Sequence, residues 1–252
     1  MHFFSHAGFE IAFIDEGVGD PVLLIHGFGS NHFVNWVAPG WVKTLRDAGY
    51  RVIALDNRGH GQSSKSNEPD DYTPAKMAGD AAALLDHLAI PCAHVMGYSM
   101  GARICAFLAL AHPEKAATLV LGGLGIGITE GMGEWESIAE ALLAEDPTTI
   151  THERGRMFRS FADQTKSDRR ALAACISASR TLLTPADIGR ITQPTLVAVG
   201  TEDDIAGAPQ PLAALLPKGE VLSIERRDHM KSVGDKTFKE RVLTFLKENP
   251  LY

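Results

Sequence analysis

The sequence predicts an α/β protein: a mostly parallel central sheet with helices on both faces and an inserted helical cap. From residue 9 onward, short apolar runs alternate with Gly-rich or polar loops and helix-period segments, the grammar of strands joined by helical crossovers. Most of the runs are continuously apolar, as in a sheet covered on both faces. The alternation lapses between Leu121 and Thr195, where only helix-like segments remain.

The strands are expected at Phe9–Ile14, Pro21–Ile25, Arg51–Leu55, Ala93–Gly97, Ala117–Leu121, Thr195–Val199 and Val221–Ile224. The turn-rich EGVGD between the first two predicts an antiparallel hairpin at one edge. Later strands are separated by helices and should pair in parallel. A helix is expected over Pro74–Leu88, where Met77, Ala81, Leu84, Leu85 and Leu88 recur at steps of three and four and Pro91 stops the run. Others should run over Met100–Ala111, ending before Pro113, and over Gly234–Glu248. In the strandless stretch, Trp135, Ile138, Ala139, Leu142 and Leu143 form one apolar stripe. Met157, Phe158 and Phe161 form another, followed by Leu172, Cys175 and Ile176. The division that follows is a core of residues 1–122 and 190–252 with a cap of residues 123–189. Such stripes mainly pack the cap on the core, and some would line a substrate pocket.

The 252 residues, 45% apolar and 22% charged, suffice for one large core and are too apolar for disorder. A formal net charge of −7 disfavours nucleic acid and anionic membrane surfaces as general partners. The three cysteines, Cys92, Cys105 and Cys175, are odd in number and form no CxxC pair, so reduced, buried thiols are expected rather than a disulfide framework or a thiolate metal site. The N-terminus has no signal-peptide pattern and no apolar run reaches spanning length, which points to the cytoplasm. A homo-oligomer stays open.

Gly97-Tyr98-Ser99-Met100-Gly101 reads GxSxG between an expected strand and an expected helix. A serine on so sharp a turn needs small neighbours two positions away, and the turn projects its Oγ outward at the positive end of a helix. Serine is a poor nucleophile at neutral pH and needs a histidine base, itself oriented by a carboxylate. Of ten histidines, His229 lies in the loop after the last strand. The acid lies in Gly200-Thr201-Glu202-Asp203-Asp204, where Asp203 and Asp204 both qualify by position. The order serine, acid, histidine is the one expected for this turn. His26-Gly27-Phe28-Gly29-Ser30 follows a strand and can aim a backbone N–H at the nucleophile, so the amides of Phe28 and Met100 would form an oxyanion hole. Gly122 to Gly127 lacks the GxGxxG spacing, and neither GxxxxGK[ST] nor HExxH occurs.

On these pieces, together with DNRGHGQSS at 56–64, VGTEDD at 199–204 and DHM at 228–230, nearly the whole chain resembles the α/β-hydrolase superfamily. The resemblance is to its small capped members: esterases, lactonases, C–C bond hydrolases and cofactor-free haloperoxidases. It implies the α/β-hydrolase fold, selects Asp203 as the acid, and makes Asp56, Arg58, Gly59, His60, Gly61 and Ser63 a structural turn. Serine at 99 departs from the haloalkane dehalogenases and epoxide hydrolases, which use a carboxylate nucleophile. The segment after His229 lacks the aromatic and acidic-proline pattern of many relatives, and Ala102 replaces a glycine often found there.

The expected activity is hydrolysis of an ester, thioester or lactone of a small apolar carboxylic acid through an acyl-enzyme on Ser99. Phe28, Tyr98, Trp135 and Met230 are the expected substrate contacts, with no cofactor and no metal. C–C bond hydrolysis of a diketone-like ring-fission product, or a non-catalytic ligand receptor on the same fold, are the alternatives.

Overall fold

Strand residues that face opposite ways along the chain enter two separate apolar layers. Leu23, Ile25, Val95, Leu119, Leu121 and Val197 join one, and Val22, Leu24, Met96, Val120, Leu196 and Ala198 join the other. A period of two with both faces buried is what a parallel sheet between helical layers requires. The computed structural model describes residues 1–251 apart from Met132 and Glu134.

The eight strands are β1 (His2–His6), β2 (Phe9–Glu16), β3 (Pro21–Ile25), β4 (Arg51–Leu55), β5 (Ala93–Tyr98), β6 (Ala116–Gly122), β7 (Thr195–Gly200) and β8 (Gly219–Ile224). They form one sheet in the order β1-β2-β4-β3-β5-β6-β7-β8. Pairing is antiparallel from β1 to β4 and parallel elsewhere. Helices α1 (Trp41–Asp47), α2 (Pro74–His87) and α3 (Met100–Ala111) follow the early strands. Between β6 and β7 come α4 (Gly127–Glu130), α5 (Trp135–Leu143), α6 (Glu153–Gln164), α7 (Arg169–Ala178) and α8 (Pro185–Ile188). No strand occurs there among the described residues. Then follow α9 (Pro209–Leu215), α10 (His229–Ser232) and α11 (Lys236–Glu248). Helices α2 and α3 pack in the first apolar layer, α1 and α11 in the second. The last helix starts at Lys236 because the Asp235 side chain caps it, accepting from the Thr237 N–H.

The hairpin expected between Phe9–Ile14 and Pro21–Ile25 does not form. β2 pairs instead with β1 and β4, and β3 lies beyond β4. The connecting loop crosses the start of β4, where Arg51 N–H donates to the Asp20 carbonyl at 3.1 Å and the Arg51 guanidinium grips Asp15 at 2.9 and 2.7 Å. Gly19 makes the crossing possible: at φ 108 a Cβ there would lie 2.0 Å from the Gly49 carbonyl oxygen. The edge hairpin is β1–β2, closed by Ala7 and Gly8, both at positive φ, the backbone of a two-residue hairpin turn. β1 and the short α1 were not anticipated.

All three cysteines are free; Cys105 and Cys175 are buried and Cys92 is half-buried. Burial pushes the Cys175 thiol up to about 12. No helix among the described residues is long and apolar enough to cross a membrane.

Candidate active site

Three strand ends open on one cavity and a fourth reaches it through His229. β3 leads into His26–Ser30, β5 into Ser99, β7 into Asp203 and β8 into His229, all at carboxyl ends of parallel strands, where open α/β sheets place their ligands.

Ser99 separates β5 from α3 at φ 54, ψ −112, a region that costs a non-glycine residue of the order of 1–3 kcal/mol. A Cβ on Gly97 would lie 2.3 Å from the Gly101 carbonyl, and one on Gly101 would lie 1.9 Å from the Ile25 oxygen. The turn therefore needs both glycines for room. The backbone holds Ser99 on both sides, its N–H donating to Gly122 at 2.8 Å and its carbonyl accepting from Arg103 N–H at 3.2 Å. Met100 is the first residue of α3, where a backbone N–H has no intrahelical acceptor.

The His229 ring shares a hydrogen bond through Nδ1 with Asp203 Oδ2 at 2.8 Å, and the Asp203 side chain is fully buried. Asp203 Oδ1 accepts from the backbone N–H groups of Ile205 and Ala206, each at 2.9 Å. Asp204 points the other way, 78% exposed and paired with Arg154 at 3.1 Å. Of the two acids that qualified by position, only Asp203 reaches His229. Tyr98 supports the histidine from behind, its hydroxyl donating to the His229 carbonyl at 2.5 Å with the rings 5.4 Å apart.

The His26–Ser30 turn lies against the serine, since a Cβ on Gly27 would sit 3.5 Å from the Ser99 Cβ. His26 knits this turn to the next. Its Nδ1 donates to the Gly27 carbonyl at 2.8 Å and its Nε2 accepts from Asn57 N–H at 2.9 Å. Burial holds His26 neutral, its pKa lowered to about 4, and lowers His60 to about 3. Asp56 is held at about 2: burial opposes ionisation, but the hydrogen bond from His32 and the nearby His26 outweigh it. Arg58 and Asp80, both buried, pair at 2.7 Å through two bonds. These bonds tie down the 56–63 turn, none of whose residues lines the cavity.

The cavity has a volume of about 150 Å³. It is lined by Ser99 and His229 with Phe28, Ser30, Val34, Asn35, Tyr98, Phe158, Phe161, Met230 and Val233. Three of the four expected contacts, Phe28, Tyr98 and Met230, fall here. Trp135 does not; it lines a separate cavity that also reaches Ser99. Phe158 and Phe161 come from α6, Phe158 meeting the Phe28 ring at 5.6 Å. Asn35 was not anticipated. It sits in a π-helical turn (Phe33–Val37), accepts the Gly27 N–H at 3.0 Å through Oδ1, and leaves its buried Nδ2 without a partner. Single-turn π segments are frequent at functional sites, yet the only sequence signal was an asparagine within an apolar run. Among the described residues no group of His, Cys, Asp and Glu side chains could hold a metal ion.

The family model described as alpha/beta hydrolase fold matches residues 20–155. A Mycobacterium tuberculosis protein that carries the name of a non-heme bromoperoxidase is 31% identical over 246 residues, spanning 88% of this chain and 91% of its own. A hydrolase structure from Pseudomonas aeruginosa superposes with a TM-score of 0.81 at 27% identity, covering 97% of each chain. A meta-cleavage product hydrolase of Pseudomonas fluorescens, solved as a variant, has a TM-score of 0.73 at 25% identity, covering 98% of each chain.

Proposed function

This chain belongs to the α/β-hydrolase fold family, and from that premise we propose that it is a serine hydrolase cleaving an ester, thioester or lactone through an acyl-enzyme on Ser99. The observation that carries the reading is the His229–Asp203 pair at 2.8 Å facing the same cavity as the strained Ser99. With Nδ1 committed to Asp203, Nε2 is the nitrogen left to take the Ser99 proton.

In the mechanism this supports, Ser99 Oγ attacks the carbonyl carbon as its proton passes to His229 Nε2. Asp203 fixes the tautomer and stabilises the imidazolium. The amides of Phe28 and Met100 hold the oxyanion, and the dipole of α3 adds to the field there. His229 then gives the proton to the leaving oxygen or sulfur. A water, deprotonated by the same nitrogen, releases the acid and restores Ser99. Every proton is accounted for by the protein and water, so no cofactor enters. We read residues 123–189 as a cap, because α6 delivers Phe158 and Phe161 to the cavity wall. An apolar cavity of roughly 150 Å³ accommodates about a benzene-sized group, which favours small substrates. The location we propose is the cytoplasm, in keeping with three free thiols.

The test is hydrolysis of p-nitrophenyl esters from acetyl to decanoyl by the wild type and by Ser99→Ala. The expected result is turnover of the short esters that the substitution abolishes; ester turnover independent of Ser99 contradicts the reading. The second reading, C–C bond hydrolysis, draws on the likeness to the meta-cleavage product hydrolase. It predicts Ser99-dependent turnover of a dienoate with none of esters.

A further inference from the structure

Ser99 lines a second cavity, of about 380 Å³, which differs from the first in having charged side chains on its wall. Around it stand Arg103, Glu130, Trp135, Arg180 and Leu182. Arg103 is 4% exposed and is held by carbonyls alone, donating to Thr181 at 2.7 Å, Gly127 at 3.3 Å and Ile128 at 3.4 Å, with Nε unpartnered. The Arg180 guanidinium lies 3.7 Å over the Trp135 ring, and its buried Nε has no partner either. The contrast is Arg58, equally buried, which is paired through two bonds with Asp80. Neither Arg103 nor Arg180 is ion-paired among the described residues. Glu130, exposed and likewise unpaired, leaves two positive charges against one on the described lining.

We propose that this second cavity is a carboxylate subsite, and that the substrate is an ester, thioester or lactone whose acyl part carries a second, free carboxylate. The assignment to the acyl side rests on the reading of Ser99 and His229 above. His229 lines the first cavity but not the second, and it must reach the leaving atom to protonate it. The leaving group therefore occupies the apolar cavity and the acyl chain runs toward the arginines. Two planar guanidinium groups suit a carboxylate better than any neutral group, since charge-assisted N–H···O bonds are the strong ones. Burial lowers Arg103 to about 10 and, with Arg103 beside it, Arg180 to about 9. A bound anion relieves both penalties. The carboxylate itself takes no part in bond making: the Ser99 Oγ–acyl bond forms, the acyl–oxygen or acyl–sulfur bond breaks with the proton from His229 going to the leaving atom, and water later releases the diacid.

The probe pair is phenyl hydrogen glutarate and its uncharged counterpart phenyl pentanoate, assayed at low ionic strength so that the charge term is not screened. Wild-type kcat/KM is expected to favour the half-ester by about tenfold or more, the scale of one charge-assisted hydrogen bond. This preference would run against a net charge of −7. Arg180→Gln should remove it and Arg180→Lys should keep part of it, each checked for folding by its melting temperature. Equal rates in the wild type, or a preference that survives Arg180→Gln, overturn the subsite. Turnover of phenyl pentanoate that depends on Ser99 without any half-ester preference leaves the hydrolase reading standing and this one fallen. Should no ester turn over, glutarate binding to Ser99→Ala by calorimetry decides: binding lost on adding Arg180→Gln upholds the anion subsite, and no binding overturns it.

Discussion

The turns at the strand ends and the helical segment above them are held in different ways. Around Ser99, His229 and Asp203 the backbone and side chains are tied by short hydrogen bonds, buried or part-buried: Asp203 to His229, Ile205 and Ala206, His26 to Gly27 and Asn57, Tyr98 to the His229 carbonyl. Helix α6 and the residue that follows it meet the same site through ring faces and a few longer or exposed contacts. Phe158 packs on Phe28, Thr165 donates to the Gly29 carbonyl at 3.4 Å, and Arg154 reaches the exposed Asp204. Directional bonds fix reacting atoms to within tenths of an ångström, whereas apolar contacts tolerate exchange of one side chain for another. On the reading proposed above, chemistry belongs to the turns and selectivity to the helices.

The largest effect should come from the strained turn itself. Ser99→Gly is expected to lower kcat by about 10⁵-fold or more while raising stability by about 1 kcal/mol, because glycine adopts φ 54 without cost. Steady-state kinetics and urea denaturation check the two halves. Next, Asp203→Asn should cost about 10⁴-fold in kcat through the wrong histidine tautomer. Asp204→Asn, one residue on, should stay within about twofold, and equal losses in the two variants would erase the distinction drawn between these carboxylates.

The scaffold under the turns predicts a pH dependence of stability. His26, His60 and His94 are lowered to about 4, 3 and 4 by burial, so they stay neutral in the folded state where the unfolded chain already binds protons. Stability present above pH 6.5 should therefore be lost as pH falls toward 4, by about 1.4 kcal/mol per pH unit for each histidine. Denaturation midpoints between pH 7 and 5 measure this, and His60→Gln should flatten the slope by one proton. The smallest expected effect lies in the helical segment: Phe161→Ala should raise KM about threefold to tenfold and admit bulkier esters with kcat little changed. A kcat loss as large as that of Asp203→Asn would mean that the helices take part in the chemistry.

What was legible in the sequence divides along the same line. GxSxG, the His-Gly turn and the late histidine are local patterns, because each strand-end turn needs particular residues at particular offsets. Asp203 and Asp204 could not be separated from spacing alone, since adjacent residues past a strand end point opposite ways and only the tertiary contact with His229 decides. The hairpin failed for a related reason: EGVGD is a competent turn, but β2 is flanked by β1 and by β4, the latter far along the chain, and local turn chemistry carries no information about that. β1 lay in a segment read only for targeting signals. Trp135 was placed on an apolar stripe facing a pocket, but periodicity along α5 cannot say which of two cavities receives it.

A covalent bond between Ser99 and the acyl group is the step on which the proposed hydrolysis depends. The wild-type protein mixed rapidly with p-nitrophenyl acetate should release a burst of p-nitrophenol equal to the enzyme present and gain one acetyl group by intact mass. Peptide mapping should place that group on Ser99, and Ser99→Ala should show neither burst nor mass gain. An acetyl group on another residue, or a burst that persists in Ser99→Ala, would contradict it.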